Sequence, residues 1–201
     1  MTLLAICNKL AENVGLASTD QVVSSPKREW AEAVVMSNAV GDELARRVDF
    51  GALRNAQSLA GDGTDKLYDL GSDFSRIIPG IGVTYGQGII RPLTQAEWAS
   101  LTPVEGSPRY FLLEGRMLRL WPYLPAAQSA SVRYQSKFWC SNGTAEWVAD
   151  TDTSLIDENL MVKGLIVRWR RQKGMEFSDY EAEFEADLAD IARFDDRSRI
   201  G

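Results

Sequence analysis

The sequence predicts an α+β protein in which both ends of the chain form an antiparallel helical bundle around an inserted small antiparallel β-sandwich or barrel. Helical periodicity runs through roughly the first 50 and the last 50 of the 201 residues. The stretch between them consists of short β-rich segments separated by Gly and Pro. Hydrophobic residues make up 45% and charged residues 25% of the chain, as in ordinary globular proteins. We therefore expect a helical domain of residues 1–50 plus 151–201 and an inserted β domain of residues 51–150.

Two helices are predicted before the β domain. The first covers residues 2–15 and ends at Gly15, a common helix terminator. Its apolar residues recur at helical spacing: Leu3, Ile6, Leu10 and Val14. The second begins at Ser25-Pro26, because Ser caps free N–H groups and Pro tolerates the first helical position. It carries one apolar stripe: Trp30, Ala33, Val34, Leu44 and Val48. Ser37 and Gly41 lie on the same side, where small residues let another helix or subunit approach closely.

Turn residues divide the middle of the chain into short strand segments and one short helix, and five or six strands at this spacing suggest a small antiparallel sandwich or barrel. Gly61-Asp62-Gly63 predicts a hairpin between residues 53–60 and 65–70. Thr94 and Glu97 form a capping box, which predicts a short helix over 94–101. The remaining strands are predicted from β-rich runs between Gly and Pro: 74–78, 81–85, 88–91, a second hairpin of 109–113 and 117–121 around Glu114-Gly115, and 129–139.

Helical periodicity returns at about Ile156 and ends at Gly174. The last turns of this helix carry positive side chains, which complement the helix dipole: Arg168, Arg170, Arg171 and Lys173. Ser178 and Glu181 predict a capping box at the start of a final amphipathic helix, whose apolar stripe includes Tyr180.

The composition argues against catalysis, metal binding and cofactor binding. The chain has no histidine and only two cysteines, so the usual general base and the usual zinc ligands are scarce. Cys7 and Cys140 are interpreted as buried thiols rather than as a disulfide. Gly80-Ile81-Gly82 and Gly86-Gln87-Gly88 lack the spacing of a phosphate-binding loop. We expect neither a membrane segment nor a signal peptide, since no apolar run is long enough and polar residues interrupt the N-terminus.

Two charged clusters allow alternative interpretations. The final helix carries many carboxylates, which favour a solvated face over a catalytic pair: Glu176, Glu181, Glu183, Glu185, Asp187 and Asp190. The basic run from Arg168 to Lys173 either contacts nucleic acid or an acidic partner, or ends the helix with side chains that extend into solvent. The net charge of −6 suits a surface past which DNA slides without sticking.

Four segments, taken in order, carry a resemblance to a known family. The segments are Leu4-Ala5-Ile6-Cys7-Asn8-Lys9-Leu10-Ala11 with Val14-Gly15; Tyr68-Asp69-Leu70-Gly71-Ser72-Asp73-Phe74 with Arg76-Ile77; Arg109-Tyr110-Phe111 with Leu118-Arg119-Leu120-Trp121-Pro122 and Val132-Arg133-Tyr134; and the helix pair including 165–173 and 180–188. In this order they resemble tailed-phage head–tail connector (adaptor) proteins, the group that includes podovirus tail tubular protein A. The resemblance covers nearly the whole chain. Gly71 stands where the family's L-P-x-D-F turn has Pro.

The resemblance implies a structural virion protein that is made in the host cytoplasm and located at the head–tail interface. Its copies would form a twelve-fold ring below the portal protein, receive a tail or stopper protein on the other face, and let double-stranded DNA pass through the lumen without sequence-specific binding. Such a ring needs head-to-tail contacts between copies. Residues 176–201 are the candidate for portal docking. The candidate interface residues are Trp30, Leu44, Arg168, Arg170, Arg171, Tyr180, Arg193, Arg197 and Arg199.

Two alternatives remain open at the level of sequence. The first is another tail, baseplate or stopper component. The second is a β module that binds a glycan or a small ligand in an aromatic groove, around Trp121, Tyr123, Phe138 and Trp139.

Overall fold

The structure, a computed structural model, describes residues 1–64, 67–80, 82–102 and 104–197, with side chains as far as Arg193. The predicted α+β class is confirmed: the described residues form five helices and two sheets. Contacts divide the chain into two compact units, unit 1 of Met1–Leu53 with Lys137–Gly201 and unit 2 of Arg54–Ser136. Residues 137–150, expected in the β domain, thus group with unit 1.

Three of the helices begin where a side chain caps the free N–H groups of the first turn. They are α1 (Leu3–Val14), α2 (Arg28–Arg47), α3 (Gln95–Ala99), α4 (Glu158–Gln172) and α5 (Ser178–Arg197). Thr2 caps α1 by accepting a hydrogen bond from the Ala5 N–H, and Gly15 ends the helix with φ of 74°. Asp157 caps α4 by accepting from the next two free N–H groups, and the predicted capping box of α3 is present.

The predicted start of α2 and the predicted capping box of α5 are wrong in detail. α2 begins at Arg28, after Lys27, which makes no side-chain cap. Ser25 still belongs to the preceding turn, since its N–H donates to the Val22 carbonyl. At α5 the Ser178 N–H donates to Glu176 rather than to Glu181, so the predicted capping box is replaced by a neighbouring carboxylate.

Helix α4 lies at the centre of unit 1, where it contacts α1, α2 and α5. Burial on so many sides explains why most of its residues are apolar; the buried ones are Leu160, Met161, Val162, Gly164, Leu165, Ile166, Val167 and Trp169. At Gly164 the helices approach so closely that an added Cβ would lie 2.7 Å from Val40 of α2 and 3.2 Å from Phe184 of α5.

Gly41, one of the two small residues predicted on the stripe of α2, accommodates a tryptophan of the same chain. Trp139 lies directly over Gly41, where any Cβ would overlap its indole ring. Trp139 is fully buried, and its Nε1 donates to Asp42 at 3.0 Å. Its ring meets the edge of Trp147 with centroids 5.0 Å apart.

The described residues of unit 2 form two sheets built from nine strands. In chain order these are β1 (Arg54–Ala60), β2 (Leu67–Asp69), β3 (Phe74–Ile77), β4 (Val83–Tyr85), β5 (Gly88–Ile89), β6 (Arg91–Pro92), β7 (Tyr110–Glu114), β8 (Met117–Trp121) and β9 (Ser129–Ser136). The first sheet has the order β1-β9-β4-β5, with β3 also on β9, and the second has the order β2-β8-β7-β6. All pairs are antiparallel except β6 with β7. Side chains of both sheets meet in one core, with Leu59, Val83 and Val132 from the first and Phe111, Leu118 and Leu120 from the second.

The predicted hairpin at Gly61-Asp62-Gly63 is wrong, because its two arms belong to different sheets. β1 pairs with β9, and β2 pairs with β8. The Gly61 N–H donates to the Gln128 carbonyl and so extends the β1–β9 ladder. The hairpin of β7 and β8 is confirmed. The long strand predicted over 129–139 ends at Ser136, and Ile81 of the predicted strand 81–85 lies outside the described residues.

The turn containing Gly71 is held by side-chain hydrogen bonds. The Gly71 N–H donates to the Gln57 side chain at 3.2 Å, a bond that proline could not make. Two residues later, the Asp73 carboxylate accepts from Tyr134 Oη at 2.9 Å and from the Asn55 amide at 2.8 Å. These bonds explain how the turn is fixed without the family's proline.

Both cysteines are free and buried, as predicted. Burial, reinforced by the negative charge of Asp150, raises the pKa of Cys7 to about 12. Burial also raises the pKa of Cys140. The thiolate, which is the reactive form, is therefore suppressed at both positions.

We expect neither thiol of the folded protein to react with an aromatic disulfide reagent at pH 8, and both to react after unfolding in denaturant. The measurement is the absorbance of the released thiolate with and without denaturant. Rapid reaction of one thiol in the native protein would contradict the burial described for it.

Candidate functional site

Two cations of the basic run bind α4 to α2. Arg168 donates to the Glu43 carboxylate at 2.5 Å and to the Ala39 carbonyl at 3.4 Å. Lys173 Nζ lies 2.5 Å from a carboxylate oxygen of Glu32. Lys173 and Arg28 lower the pKa of Glu32 through these hydrogen bonds.

The other two cations bind α4 to the segment that leads into α5. The Arg170 guanidinium stacks 4.1 Å from the centroid of the Tyr180 ring and donates to its hydroxyl at 3.1 Å. It also donates to the Glu176 carbonyl at 3.0 Å. Arg171 pairs with Glu181 and lies 4.7 Å from the centroid of the Phe177 ring. Arg170 and Tyr180 are thus brought together, and each serves as the other's partner.

The acidic residues of α5 are paired across the helices rather than simply solvated. Lys163 of α4 lies 2.6 Å from both Glu183 and Asp187, and these hydrogen bonds raise its pKa. Arg47 of α2 donates two hydrogen bonds to Glu185, at 2.7 and 2.5 Å. The Arg47 guanidinium lowers the pKa of the Glu185 carboxyl.

The charges of the basic run and those of the acidic face are therefore paired within one chain, mostly with other partners than each other. Each of the four predicted cations from Arg168 to Lys173 has a carboxylate, a carbonyl or an aromatic partner within unit 1. A DNA-binding patch needs cations that are available to phosphate. Of the two interpretations of the basic run, these contacts agree with the helix end rather than with a nucleic-acid surface, but the side chains bind neighbouring helices instead of extending into solvent.

We expect the substitution Arg47→Gln to lower the free energy of unfolding at pH 7 by no more than about 1 kcal/mol, since solvent screens this half-exposed pair. Because the folded pKa of Glu185 is depressed, its contribution is present above the ordinary carboxyl pKa of about 4.3 and is lost as pH falls through the folded value. The difference between wild type and variant should therefore shrink towards pH 3. Urea unfolding at several pH values measures this, with the exposed Arg193→Gln as control. A difference that stays constant down to pH 3 would rule out the pair as its source.

The remaining predicted interface residues are scattered. Trp30 and Leu44 are 1% and 0% exposed, so in the single chain they belong to the core and present no surface to a partner. Arg193 is exposed and lies 3.7 Å from Asp190. The side chain of Arg197 and the whole of Arg199 lie outside the described residues.

The aromatic groove proposed for a glycan does not form from the predicted residues. Trp139 is fully buried in the core of unit 1, where a sugar could not reach it. Trp121, in unit 2, lies edge-on to Trp98 with centroids 6.2 Å apart.

Sequence reasoning missed three polar side chains whose hydrogen bonds position the segment between β9 and α4. Asp150 accepts hydrogen bonds from the N–H groups of Val22 and Val23. Asp152 accepts from the N–H groups of Val148 and Ala149 and from Asn142. Asn38 of α2 accepts from the Trp147 N–H at 2.9 Å. Only the local Asp152 turn had a sequence signal, because the other partners are more than a hundred residues apart.

Among the described residues, no group of three or more acidic or cysteine side chains is placed to bind a metal ion. No helix within those residues is both long and apolar enough to cross a bilayer.

Comparison with known proteins gives one family match. The family model described as SU10 adaptor protein matches residues 1–201. None of the curated proteins matches the chain.

Proposed function

Since the chain belongs to the SU10 adaptor protein family, we propose that it is a head–tail adaptor of a phage virion. Membership makes it a structural phage protein and not an enzyme. The proposal goes further: copies form a ring, of twelve as in the podovirus tail tubular proteins A, below the portal protein. The ring joins the capsid vertex to the tail or stopper protein and lets double-stranded DNA pass through its lumen.

The observation that carries the proposal is the match over the full chain. It agrees with the order of four segments that resemble head–tail connectors, from the first helix to the last pair. A match over the whole length supports one function for both units, rather than a β module carried on an unrelated helical domain.

The electrostatics support a passage that DNA crosses without binding. The net charge is −6, and cations of the basic run form salt bridges with Glu32, Glu43 and Glu181. A basic run whose cations are already paired provides little attraction for phosphate.

We assign ring building to the helices from both ends of the chain, treated as one bundle domain, and portal docking to residues 176–201. The first part of α5 is engaged with α2 and α4 through Glu185 and Lys163. Its later part carries Asp190 and Arg193, which are exposed and available to a partner.

The proposal is tested by mixing the purified protein with purified portal rings and measuring the mass of the complex. We expect one discrete complex whose added mass equals twelve copies. A matched variant that lacks residues 195–201 should bind more weakly if the tail docks on the portal. Unchanged binding would show that the tail does not dock there and would leave the adaptor function standing. The absence of any complex with intact portal rings would contradict the adaptor function itself.

A further inference from the structure

Strand β1 is the end strand of the first sheet, and among the described residues no strand pairs with the outer side of residues 55–60. All seven residues of β1 are in regular register with β9, from Arg54 opposite Gln135 to Ala60 opposite Ser129. Edge strands are normally protected by Pro, by charged residues, by a bulge or by being very short, because an open edge can pair with another chain. Residues 55–60 have none of these protections.

The backbone groups on this open edge can be identified from the ladder. The Gly61 N–H donates to the Gln128 carbonyl, and antiparallel pairs alternate along a strand. The odd-numbered residues of β1 thus direct their N–H and C=O groups toward β9. Ala56, Ser58 and Ala60 direct theirs outward. The side chains of these three residues are small and exposed, so a second strand could approach closely.

The opposite end of the same sheet has complementary properties. There β5 presents Ile89, whose side chain is 64% exposed. The Ile90 N–H donates to the Val83 carbonyl, so by the same alternation Ile89 directs its own backbone groups away from β4. Beside it lies an apolar cavity of about 290 Å³, lined by residues that include Ile78, Pro79 and Phe111.

Ser58 and Ile89 lie in one row across the sheet. Ser58 is opposite Ser131, Ser131 is opposite Thr84, and Thr84 is opposite Ile89. The first and third of these pairs are non-hydrogen-bonded, and the second is hydrogen-bonded. If the row continued past Ile89 with the same alternation, the next pair would be hydrogen-bonded. A hydrogen-bonded pair is what the outward groups of Ile89 and Ser58 would form. The strand directions also alternate, so β5 followed by another β1 is antiparallel.

We propose that β5 of one copy pairs with β1 of the next copy, with Ile89 opposite Ser58, and that the first sheet thereby becomes continuous around the ring. This inference rests on the proposed function, which requires head-to-tail contacts between copies. A second copy is the favoured occupant because the two open edges differ from each other and belong to one chain. The large Ile89 side chain would be buried over the small residues of β1, and neither Ser58 nor Ile89 carries a charge that would repel the other.

The first test is Ser58→Lys, which places a charged side chain on the open edge without changing a buried residue. We expect the variant to keep its thermal unfolding midpoint and to require at least about tenfold more protein for ring assembly on portal, the equivalent of about 1.4 kcal/mol. The control is Val104→Lys, at a 57% exposed position between α3 and β7, which should assemble like wild type. Assembly of Ser58→Lys at the wild-type concentration would overturn the pairing.

The second test is independent of how well Ser58→Lys folds. Ser58→Cys and Ile89→Cys are introduced into one chain, assembled on portal rings and treated with a short bismaleimide. Within one chain the two positions are three strand spacings apart, about 14 Å, so a shorter reagent joins only neighbouring copies. We expect a ladder of linked copies, whereas either single variant should give none.

An assembled ring that yields no ladder would contradict the pairing while leaving the adaptor function intact. Failure of the wild type to assemble on portal at all would instead contradict the adaptor function.

Discussion

Trp139→Ala is expected to lower the free energy of unfolding by about 3–5 kcal/mol, the usual cost of removing a large aromatic side chain from a core. Trp139 is fully buried, and its removal would leave Gly41 without the ring that covers it. The variant would also lose the hydrogen bond to Asp42 and the edge contact with Trp147. For a protein of ordinary stability, such a loss is a large share of the total.

Urea unfolding followed by far-ultraviolet circular dichroism measures this effect. Phe138→Ala is the matched control, because Phe138 is the adjacent aromatic residue and is only partly buried. We expect its cost to be clearly smaller. Equal costs at the two positions would mean that Trp139 does not lie in the core of unit 1.

Gly164→Val is expected to cost about 3 kcal/mol, at the upper end of the range for overpacking. Its Cβ would lie 2.7 Å from Val40 and 3.2 Å from Phe184, and both neighbours are themselves buried. Relief would require α4 to move away from α2 or α5. The branched side chain is also restricted in rotamer within a helix.

Gln172→Val provides the control for helix propensity, since it introduces the same side chain at an exposed position of α4. We expect a cost of less than about 1 kcal/mol there. If both valine substitutions destabilise the protein equally, the close approach at Gly164 does not determine its stability, and the central position of α4 would be in error.

Features set by neighbouring residues were predicted well from the sequence. The periodicity of α1 and α4, the αL glycines Gly15 and Gly174, and the Thr94 capping box all follow from contacts within a few positions. The hairpin of β7 and β8 is equally local.

Features set by distant residues were not predicted from the sequence. The signal at Gly61-Asp62-Gly63 marks a turn, but it carries no information on which strand β1 pairs with, and β9 lies far along the chain. Trp139 was assigned to a strand from its β-forming neighbours, although tertiary packing places it against Gly41.

The candidate interface shows the same division. The run of cations at the end of α4 is visible in the sequence, but their partners are not. Arg168 and Lys173 bind residues of α2 that lie more than a hundred positions away. Periodicity placed Trp30 and Leu44 on one stripe without distinguishing core from ring contact, and burial identifies core. The open edge of β1 became visible only when the strand order was known.

The adaptor function is tested most directly by electron microscopy of DNA-filled, tailless heads from the same phage, with and without the purified protein. We expect the protein to add a collar of density below the portal, with ring symmetry, and to keep the DNA inside the heads. Heads that remain bare and continue to lose DNA in the presence of the folded protein would contradict the account.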